Sequence, residues 1–382
     1  MQHKMKTLAG ATLVAAMSLV GTAHAEQAEQ VKIGFAGPMT GPQAHYGTDF
    51  QNGVKLAISD MNATKPVIGG KQVEFVLDAA DDQADPRTGT TVAQKLVDDG
   101  IKGMIGHFNS GTTIPASRIY ANAGIPEVAM ATAPEYTQQG FKTTFRMMTS
   151  DTQQGSVAGT FAVKNLNMKK IAIVDDRTAY GQGLADQFAK AAKAAGATIV
   201  DREFTNDKAV DFKGILTKLK AANPDLIYFG GADAQAAPMA KQMKSLAIKA
   251  PLMGGEMLHT PDFLKIAGPA ADGTYASLAG LPLSDMPGGA QYVAKYKKMF
   301  GTEVETYSPY AYDGTIALLT AMKKANSTDP AKYLPVLAKT DMAGVTTTHL
   351  AYDEHGDLKN GGITIYKAEN GQWKPLQSVG AK

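Results

Sequence analysis

The chain of 382 residues contains no cysteine. It therefore cannot form a disulfide, a zinc site with thiolate ligands or a cysteine nucleophile. A protein of this length can bury cores large enough to hold it together without disulfides. Hydrophobic residues make up 44% of the chain and charged residues 19%, which is the balance of an ordinary globular protein.

Long apolar runs are missing beyond the N-terminus, where no stretch approaches the ~18 residues that a membrane-spanning helix needs. Residues 1–25 have a basic start, an apolar middle and small residues at Ala23 and Ala25. This pattern predicts a secretory signal peptide cut after Ala25. Its removal would lower Lys plus Arg from 38 to 36, equal to the 36 Asp plus Glu. A neutral chain lacks the basic excess of a nucleic-acid-binding protein, so no nucleic-acid partner is expected.

Familiar catalytic motifs are also missing. Ser110 does not stand in a G-x-S-x-G turn, and the chain has neither H-E-x-x-H nor a phosphate-binding G-x-x-x-x-G-K-[ST] loop. The acidic stretches at 78–86 and 353–357 lack the spacing of a calcium loop and are expected to be turns. We therefore expect no catalytic residue, no metal and no cofactor.

What the sequence does contain is a repeated alternation of strands and helices. A first run extends from VKIGFAG (31–37) to EVAM (127–130), and a second from KKIAIVDD (169–176) to PLMGG (251–255). Such alternation favours parallel sheets covered by helices, here as two similar α/β lobes broken near residues 145–151. Residues 288–340 are predicted to be mostly helical. The C-terminal tail is predicted as strands, with a hairpin turn at Glu369–Gln372.

Small polar residues gather at the turn GHFNSGTTIPAS (106–117), between a strand and a helix. Three explanations compete: a helix cap, a nucleophilic serine, or a cradle for an anion. A cap accounts for one hydroxyl, whereas Ser110, Thr112 and Thr113 offer three. The N–H groups of a helix N-terminus also receive carboxylates well. The cluster therefore favours an anion cradle.

A second polar cluster, ATAPEYT (131–137), follows the next strand. Adjacent parallel strands would bring both clusters to one carboxyl edge, where ligands bind in open α/β sheets. The second run offers Tyr180 and Glu256 after its own strands. Hydroxyls for an anion in one lobe and a carboxylate for a cation in the other predict an α-amino acid as ligand.

Six segments spread over the mature chain resemble the leucine/isoleucine/valine-binding proteins, which are periplasmic components of branched-chain amino-acid ABC transporters. The segments are VKIGFAGPMTGPQAHYGTDFQNGVKLAISDMNA, IGHFNSGTTIPAS, ATAPEYT, AIVDDRTAYGQGLA, DLIYFGGADA and YDEHGDL. The resemblance implies a two-lobed type I periplasmic-binding-protein fold with three crossovers and the ligand in the interlobe cleft. We expect lobe 1 to comprise residues 26–150 plus about 281–345, and lobe 2 residues 151–280 plus about 346–382.

The same resemblance implies roles for individual residues. Ser110 and Thr132 would hold the ligand's carboxylate and amine, helped by main-chain groups near Phe108 and Ala131. Glu256 would pair with the α-ammonium. The ligand-binding residues expected in full are Tyr46, Phe108, Asn109, Ser110, Ala131, Thr132, Tyr180, Ala232 and Glu256. Ala232 stands where such relatives can carry an aromatic residue, which leaves space for larger ligand side chains.

The resulting expectation is a monomeric, non-enzymatic periplasmic protein. It would bind a branched-chain or similar apolar amino acid by hinge closure and deliver it to a membrane permease. The alternative is a ligand-sensing receptor domain for an amide, an aromatic compound or another small carboxylate, and an enzyme is the third option.

Overall fold

The computed structural model describes residues 28–380, so the predicted signal peptide lies outside the described residues. The strands, numbered in chain order, are β1 Glu29–Gly37, β2 Val67–Ile68, β3 Lys71–Asp81, β4 Met104–Gly106, β5 Glu127–Ala129, β6 Thr144–Arg146, β7 Lys170–Asp175, β8 Thr198–Phe204, β9 Leu226–Gly230, β10 Leu252–Gly254, β11 Tyr275–Ala279, β12 Asp341–Met342, β13 Leu350–Ala351, β14 Ile363–Glu369 and β15 Gln372–Val379.

The helices surround two separate sheets. They are α1 Ala44–Ala63, α2 Pro86–Asp98, α3 Ser110–Asn122, α4 Glu135–Gln138, α5 Asp151–Lys164, α6 Ala179–Ala195, α7 Lys213–Ala222, α8 Asp233–Ser245, α9 Pro261–Ala267, α10 Gly289–Phe300, α11 Ser308–Lys324 and α12 Pro330–Leu337. Three single-turn 3-10 helices cover Glu256–Leu258, Gly268–Ala270 and Leu283–Asp285.

The first sheet has the order β2-β3-β1-β4-β5-β6, and its strands are parallel except for the short hairpin of β2 with β3. The acidic turn after β3 is used for local structure. Asp85 caps α2 by accepting hydrogen bonds from the backbone N–H groups of Arg87 and Thr88, and Pro86 occupies the first helical position. The prediction of a turn over residues 78–86 was too wide: residues 78–81 end β3, and the turn at 82–85 leads directly into α2.

The second sheet has the order β15-β14-β11-β10-β9-β7-β8. Its strands from β8 to β11 are parallel, whereas β14 and β15 run antiparallel. Glu369 pairs with Gln372, and Asn370 and Gly371 between them both have positive φ, at 55° and 73°. Asn-Gly suits such a two-residue turn, and the predicted hairpin is confirmed.

Both sheets share one connectivity, which confirms the prediction of two similar α/β lobes. The orders β3-β1-β4-β5 and β8-β7-β9-β10 are equivalent, because each lobe adds its second strand on one side of the first and its third on the other. The reversal creates a crevice at the carboxyl edge next to β1 and β4 in one lobe and next to β7 and β9 in the other. These two edges are where ligand-binding turns are expected.

The chain passes between the two sheets three times: after β6, after β11 and before β14. Near the third passage Asp357 still contacts the first sheet, since it accepts a 2.7 Å hydrogen bond from Nε of Arg146 on β6. The residues at which the lobes divide stay a prediction. One cluster of buried side chains includes residues of both lobes, among them Phe108, Tyr180 and Met257, so the lobes pack against each other.

Within residues 28–380, none of the helices combines the length and apolar character needed to cross a bilayer.

Candidate functional site

The turn between β4 and α3 brings Phe108, Asn109 and Ser110 to the crevice of the first lobe. Asn109 is the N-cap residue in extended conformation, but its side chain does not cap the helix. Its Nδ2 instead donates to Oε1 of Gln43 at 2.7 Å. Ser110 opens the helix and is buried, and its Oγ accepts a 3.2 Å hydrogen bond from the backbone N–H of Ala133. The two polar clusters therefore meet at one edge, as predicted.

Two hydroxyls expected in the anion cradle are used elsewhere. Oγ1 of Thr112 and Oγ1 of Thr113 both donate to the carbonyl of Asn109, at 2.9 and 2.8 Å. Threonines in the first helical turn can bond back to a carbonyl three or four residues earlier, which takes their donors away from a ligand. The expectation of three hydroxyl donors was wrong for these two residues, and Ser110 remains.

Ala131 and Thr132 follow β5 and are both buried. The carbonyl of Ala131 accepts a hydrogen bond from the Arg146 guanidinium, and the carbonyl of Thr132 accepts one from the backbone N–H of Asp151 at 2.8 Å. These bonds fix the second turn, since Arg146 ends the next strand, β6, and Asp151 begins the helix after it, α5. The turn that contains Ala131 and Thr132 is consequently held in place by hydrogen bonds from β6 and from the start of α5.

An aromatic wall borders this edge. The rings of Tyr46 and Phe108 stack with centroids 5.4 Å apart, and the ring of Tyr307 meets Phe108 edge-on at 4.7 Å. Such pairs add stability beyond the area they bury. The hydroxyl of Tyr46 crosses the cleft and donates to the carbonyl of Met257 in the second lobe at 2.6 Å. Tyr307 was not predicted, although its place before α11 puts it against two predicted residues.

In the second lobe, Tyr180 and Glu256 are in contact. The hydroxyl of Tyr180 donates to Oε2 of Glu256 at 3.0 Å, and Gln154 of α5 donates to the same oxygen. Burial raises the pKa of Glu256 above its ordinary value, because a charged carboxylate loses its water there. Gly255 permits this approach, since a Cβ at that residue would lie 2.4 Å from the Tyr180 hydroxyl.

Ala232 is the N-cap residue of α8 and is buried. It shares a cavity of about 510 Å³ with Asn109 and Ser110 from the first lobe and Tyr180 from the second. The remaining predicted residues are buried around this cavity and do not line it: Tyr46, Phe108, Ala131, Thr132 and Glu256. A cavity of this size is ample for one amino acid.

Asp151, the first residue of α5, was not predicted. It is buried, and neither of its carboxyl oxygens has a hydrogen-bonding partner among residues 28–380. Burial, and then the charge of Glu256, hold its pKa well above the usual range. The sequence did carry a signal, because TSDTQQG follows β6, the strand next to β5, and so reaches the same carboxyl edge.

Comparisons with known proteins agree with this geometry. A family profile described as periplasmic binding protein matches residues 30–372. A Leu/Ile/Val-binding protein homolog 1 of Brucella melitensis is 38% identical over 368 residues, which are 96% of this chain and 97% of the relative. A leucine-, isoleucine-, valine-, threonine- and alanine-binding protein of Pseudomonas aeruginosa is 34% identical over 93% of this chain and 94% of its own.

A solved structure is similar as well. The crystal structure of a leucine-binding protein from Thermotoga maritima matches with a TM-score of 0.83 and 26% identity, over 91% of this chain and 98% of that chain. The two-lobed fold and the resemblance drawn from the six sequence segments are both confirmed.

Proposed function

Because the chain belongs to the periplasmic binding protein family, we propose that it is the substrate-binding component of an ABC transporter for branched-chain and similar apolar α-amino acids. The observation that carries the proposal is the placement of opposite chemistries across one cleft. The first lobe presents Ser110 at a helix N-terminus, and the second presents the buried carboxyl of Glu256. A ligand that satisfies both must carry an anion and a cation close together.

The ligand's carboxylate would lie at Ser110 and the N-terminus of α3. Ser110 can donate its hydroxyl proton while its oxygen accepts from Ala133, and the helix terminus adds unpaired N–H groups. A hydrogen bond to a charged group stabilises by ~1.5–3 kcal/mol. Thr132, which lies on the neighbouring turn, would contribute to the same part of the site.

The ammonium would lie at Glu256, whose orientation is fixed by Tyr180 and Gln154. We include Asp151 in this part of the site, since its free carboxyl oxygens are buried beside Glu256. An ammonium ion would favour the charged form of either carboxyl, opposing the effect of burial.

The ligand's side chain would pack on Ala232 and Met257, which line the cavity, with the aromatic wall behind Met257. Burying a leucine or valine side chain contributes ~1.5–3 kcal/mol. Since the groups for the two ligand ends come from different lobes, a bound ligand favours the closed arrangement by its higher affinity for it. The protein would act as a periplasmic monomer that hands its ligand unchanged to a membrane permease.

The test is calorimetry with L-leucine, L-isoleucine and L-valine, with L-leucinamide and benzoate as matched controls. We expect the amino acids to bind and both controls to fail, because leucinamide lacks the anion and benzoate lacks the cation. Mass spectrometry should recover leucine unchanged after incubation. Binding of benzoate in preference to leucine would contradict the proposal and favour the sensor of aromatic compounds.

A further inference from the structure

Two titratable side chains from opposite lobes meet at the rim of the cleft. His45 is in the first turn of α1 and Asp233 is the first residue of α8, and Nε2 of His45 lies 3.0 Å from Oδ2 of Asp233. The side chain of His45 is 17% exposed and that of Asp233 only 2%. The contact therefore lies where the interlobe interface opens to solvent, with the acid on the buried side.

Asp233 is held firmly in this place. Oγ1 of Thr260 donates to the same Oδ2 at 2.6 Å, and Oδ1 has no hydrogen-bonding partner within residues 28–380. The backbone N–H of Asp233 donates to the hydroxyl of Tyr46 at 3.3 Å. A buried carboxylate is costly without a cation, and His45 is the cationic group that contacts it.

We propose that His45 and Asp233 form an interlobe latch, whose ion pair stabilises the closed arrangement and raises ligand affinity as the pH falls from about 8 to about 6. Opening the hinge separates the two side chains, because they belong to different lobes. An interaction made only in the closed arrangement adds to the affinity of any ligand that requires closure. This inference rests on the proposed function for its ligand, whereas the latch itself can be tested without one.

The charges around His45 set the sign of the effect. Burial lowers the pKa of His45, but the hydrogen bond and charge of Asp233, with the charges of Glu305 and Asp262, outweigh burial, and the pKa is raised above 6.5. Asp233 and Asp262 belong to the second lobe, so opening removes their influence and the pKa of His45 falls. The latch is complete below the open-state pKa and is lost as the pH rises through the closed-state pKa.

Glu305 titrates nearby and must be separated from the latch. It precedes α11 in the first lobe, and burial together with the charge of Asp49 raises its pKa to about 7. Because Glu305 shares a lobe with His45, its charge acts on His45 in both the open and the closed arrangement. Its own pKa is raised more by Asp49 of the same lobe than by Asp262 or Asp233 of the second lobe, so closure changes the titration of Glu305 less than that of His45. A Glu305→Gln variant should therefore keep most of the pH dependence, whereas His45→Gln should not.

The experiment is calorimetric titration of L-leucine at pH 8, 7 and 6. The raised pKa values of Asp151 and Glu256 affect ammonium binding in every variant alike, so the latch is measured as the ratio of wild-type affinity to His45→Gln affinity. We expect this ratio to rise about threefold to tenfold between pH 8 and pH 6, the range of a partly buried ion pair. Asp233→Asn should follow the pH profile of His45→Gln to within about twofold. The matched control is His355→Gln, an exposed histidine whose acidic neighbour is Glu354, 3.9 Å away in the same turn. This control should keep the wild-type profile.

A wild-type profile that persists in His45→Gln would overturn the latch, as would a profile abolished only by Glu305→Gln. Thermal melting confirms that each variant is folded. If Asp233→Asn is unstable, His45→Gln at the rim of the cleft provides the test on its own. If the wild-type chain does not bind leucine, the proposed function fails. The latch is then tested by small-angle X-ray scattering of the ligand-free protein. Its radius of gyration must shrink from pH 8 to pH 6 in wild type and not in His45→Gln.

Discussion

The hydroxyl of Tyr180 lies 3.0 Å from Oε2 of Glu256, and the contact joins the start of α6 to the turn after β10. One oxygen of the acid thus receives hydrogen bonds from Tyr180 and Gln154 and is held in a fixed direction. A carboxylate held in this way needs no rearrangement to receive an ammonium ion. Such preorganisation reduces the entropic cost of binding.

Replacement of Glu256 tests whether this residue binds the ligand's ammonium. Glu256→Ala should weaken leucine binding by ~2–5 kcal/mol, because the ammonium would be buried without its partner. Calorimetry measures the change, and Glu203→Ala is the control, since Glu203 is an acid of the same lobe that is paired with Lys218. A loss smaller than about tenfold, which is ~1.4 kcal/mol, would exclude Glu256 from the ammonium site.

Ser110→Ala separates a carboxylate donor from a structural residue. We expect leucine affinity to fall by ~1.5–3 kcal/mol with little change in the melting temperature of the ligand-free protein. Thr113→Ala is the matched control, because its hydroxyl donates to the carbonyl of Asn109. That variant should lose stability and keep the affinity of the folded protein. Unchanged leucine affinity in Ser110→Ala would contradict the proposal that Ser110 binds the ligand's carboxylate.

Ala232→Tyr should shift specificity toward small ligands. Ala232 lines the cavity, so a tyrosine there would overlap with large ligand side chains, and overpacking typically costs ~1–3 kcal/mol. Valine should gain, because its methyl groups acquire a packing partner. A competition series of valine, leucine and phenylalanine against both proteins measures the order of preference. If the order does not move toward valine, Ala232 does not face the ligand.

Asp151→Asn tests the carboxyl that the sequence did not reveal. An acid with a raised pKa binds a proton on folding, so the stability it contributes is present at low pH and is lost as the pH rises above the ordinary carboxyl range. The asparagine variant removes this loss. In thermal melts without ligand, it should gain stability relative to wild type at pH 8 and gain much less at pH 5.

The same variant should bind leucine more weakly at pH 8, because one of the two acids beside the ammonium is then neutral. A stability difference that is the same at pH 5 and pH 8 would show that Asp151 is ionised throughout. Unchanged leucine affinity would place Asp151 outside the site.

The sequence by itself determined the architecture and the turns that carry the site. Alternation of buried strands with helices favours parallel sheets, since a helix that connects two strands returns the chain to start the next strand in the same direction. The same logic brought the segments around Ser110 and Thr132 to one edge, because neighbouring parallel strands end on the same side. The hairpin turn at Asn370 and Gly371 could also be predicted from the sequence, because these two residues tolerate the positive φ that the turn needs.

The tertiary structure decided which polar groups in those turns are free. Thr112 and Thr113 look like ligand donors in the sequence, but their hydroxyls reach the carbonyl of Asn109. Asp151 looks like a routine first residue of a helix, yet the fold buries it beside Glu256. His45 and Asp233 are 188 residues apart and become partners only where the lobes touch. A hydrogen bond or a pKa depends on distances of a few ångströms and on the exclusion of water, and these are set only once the chain has folded.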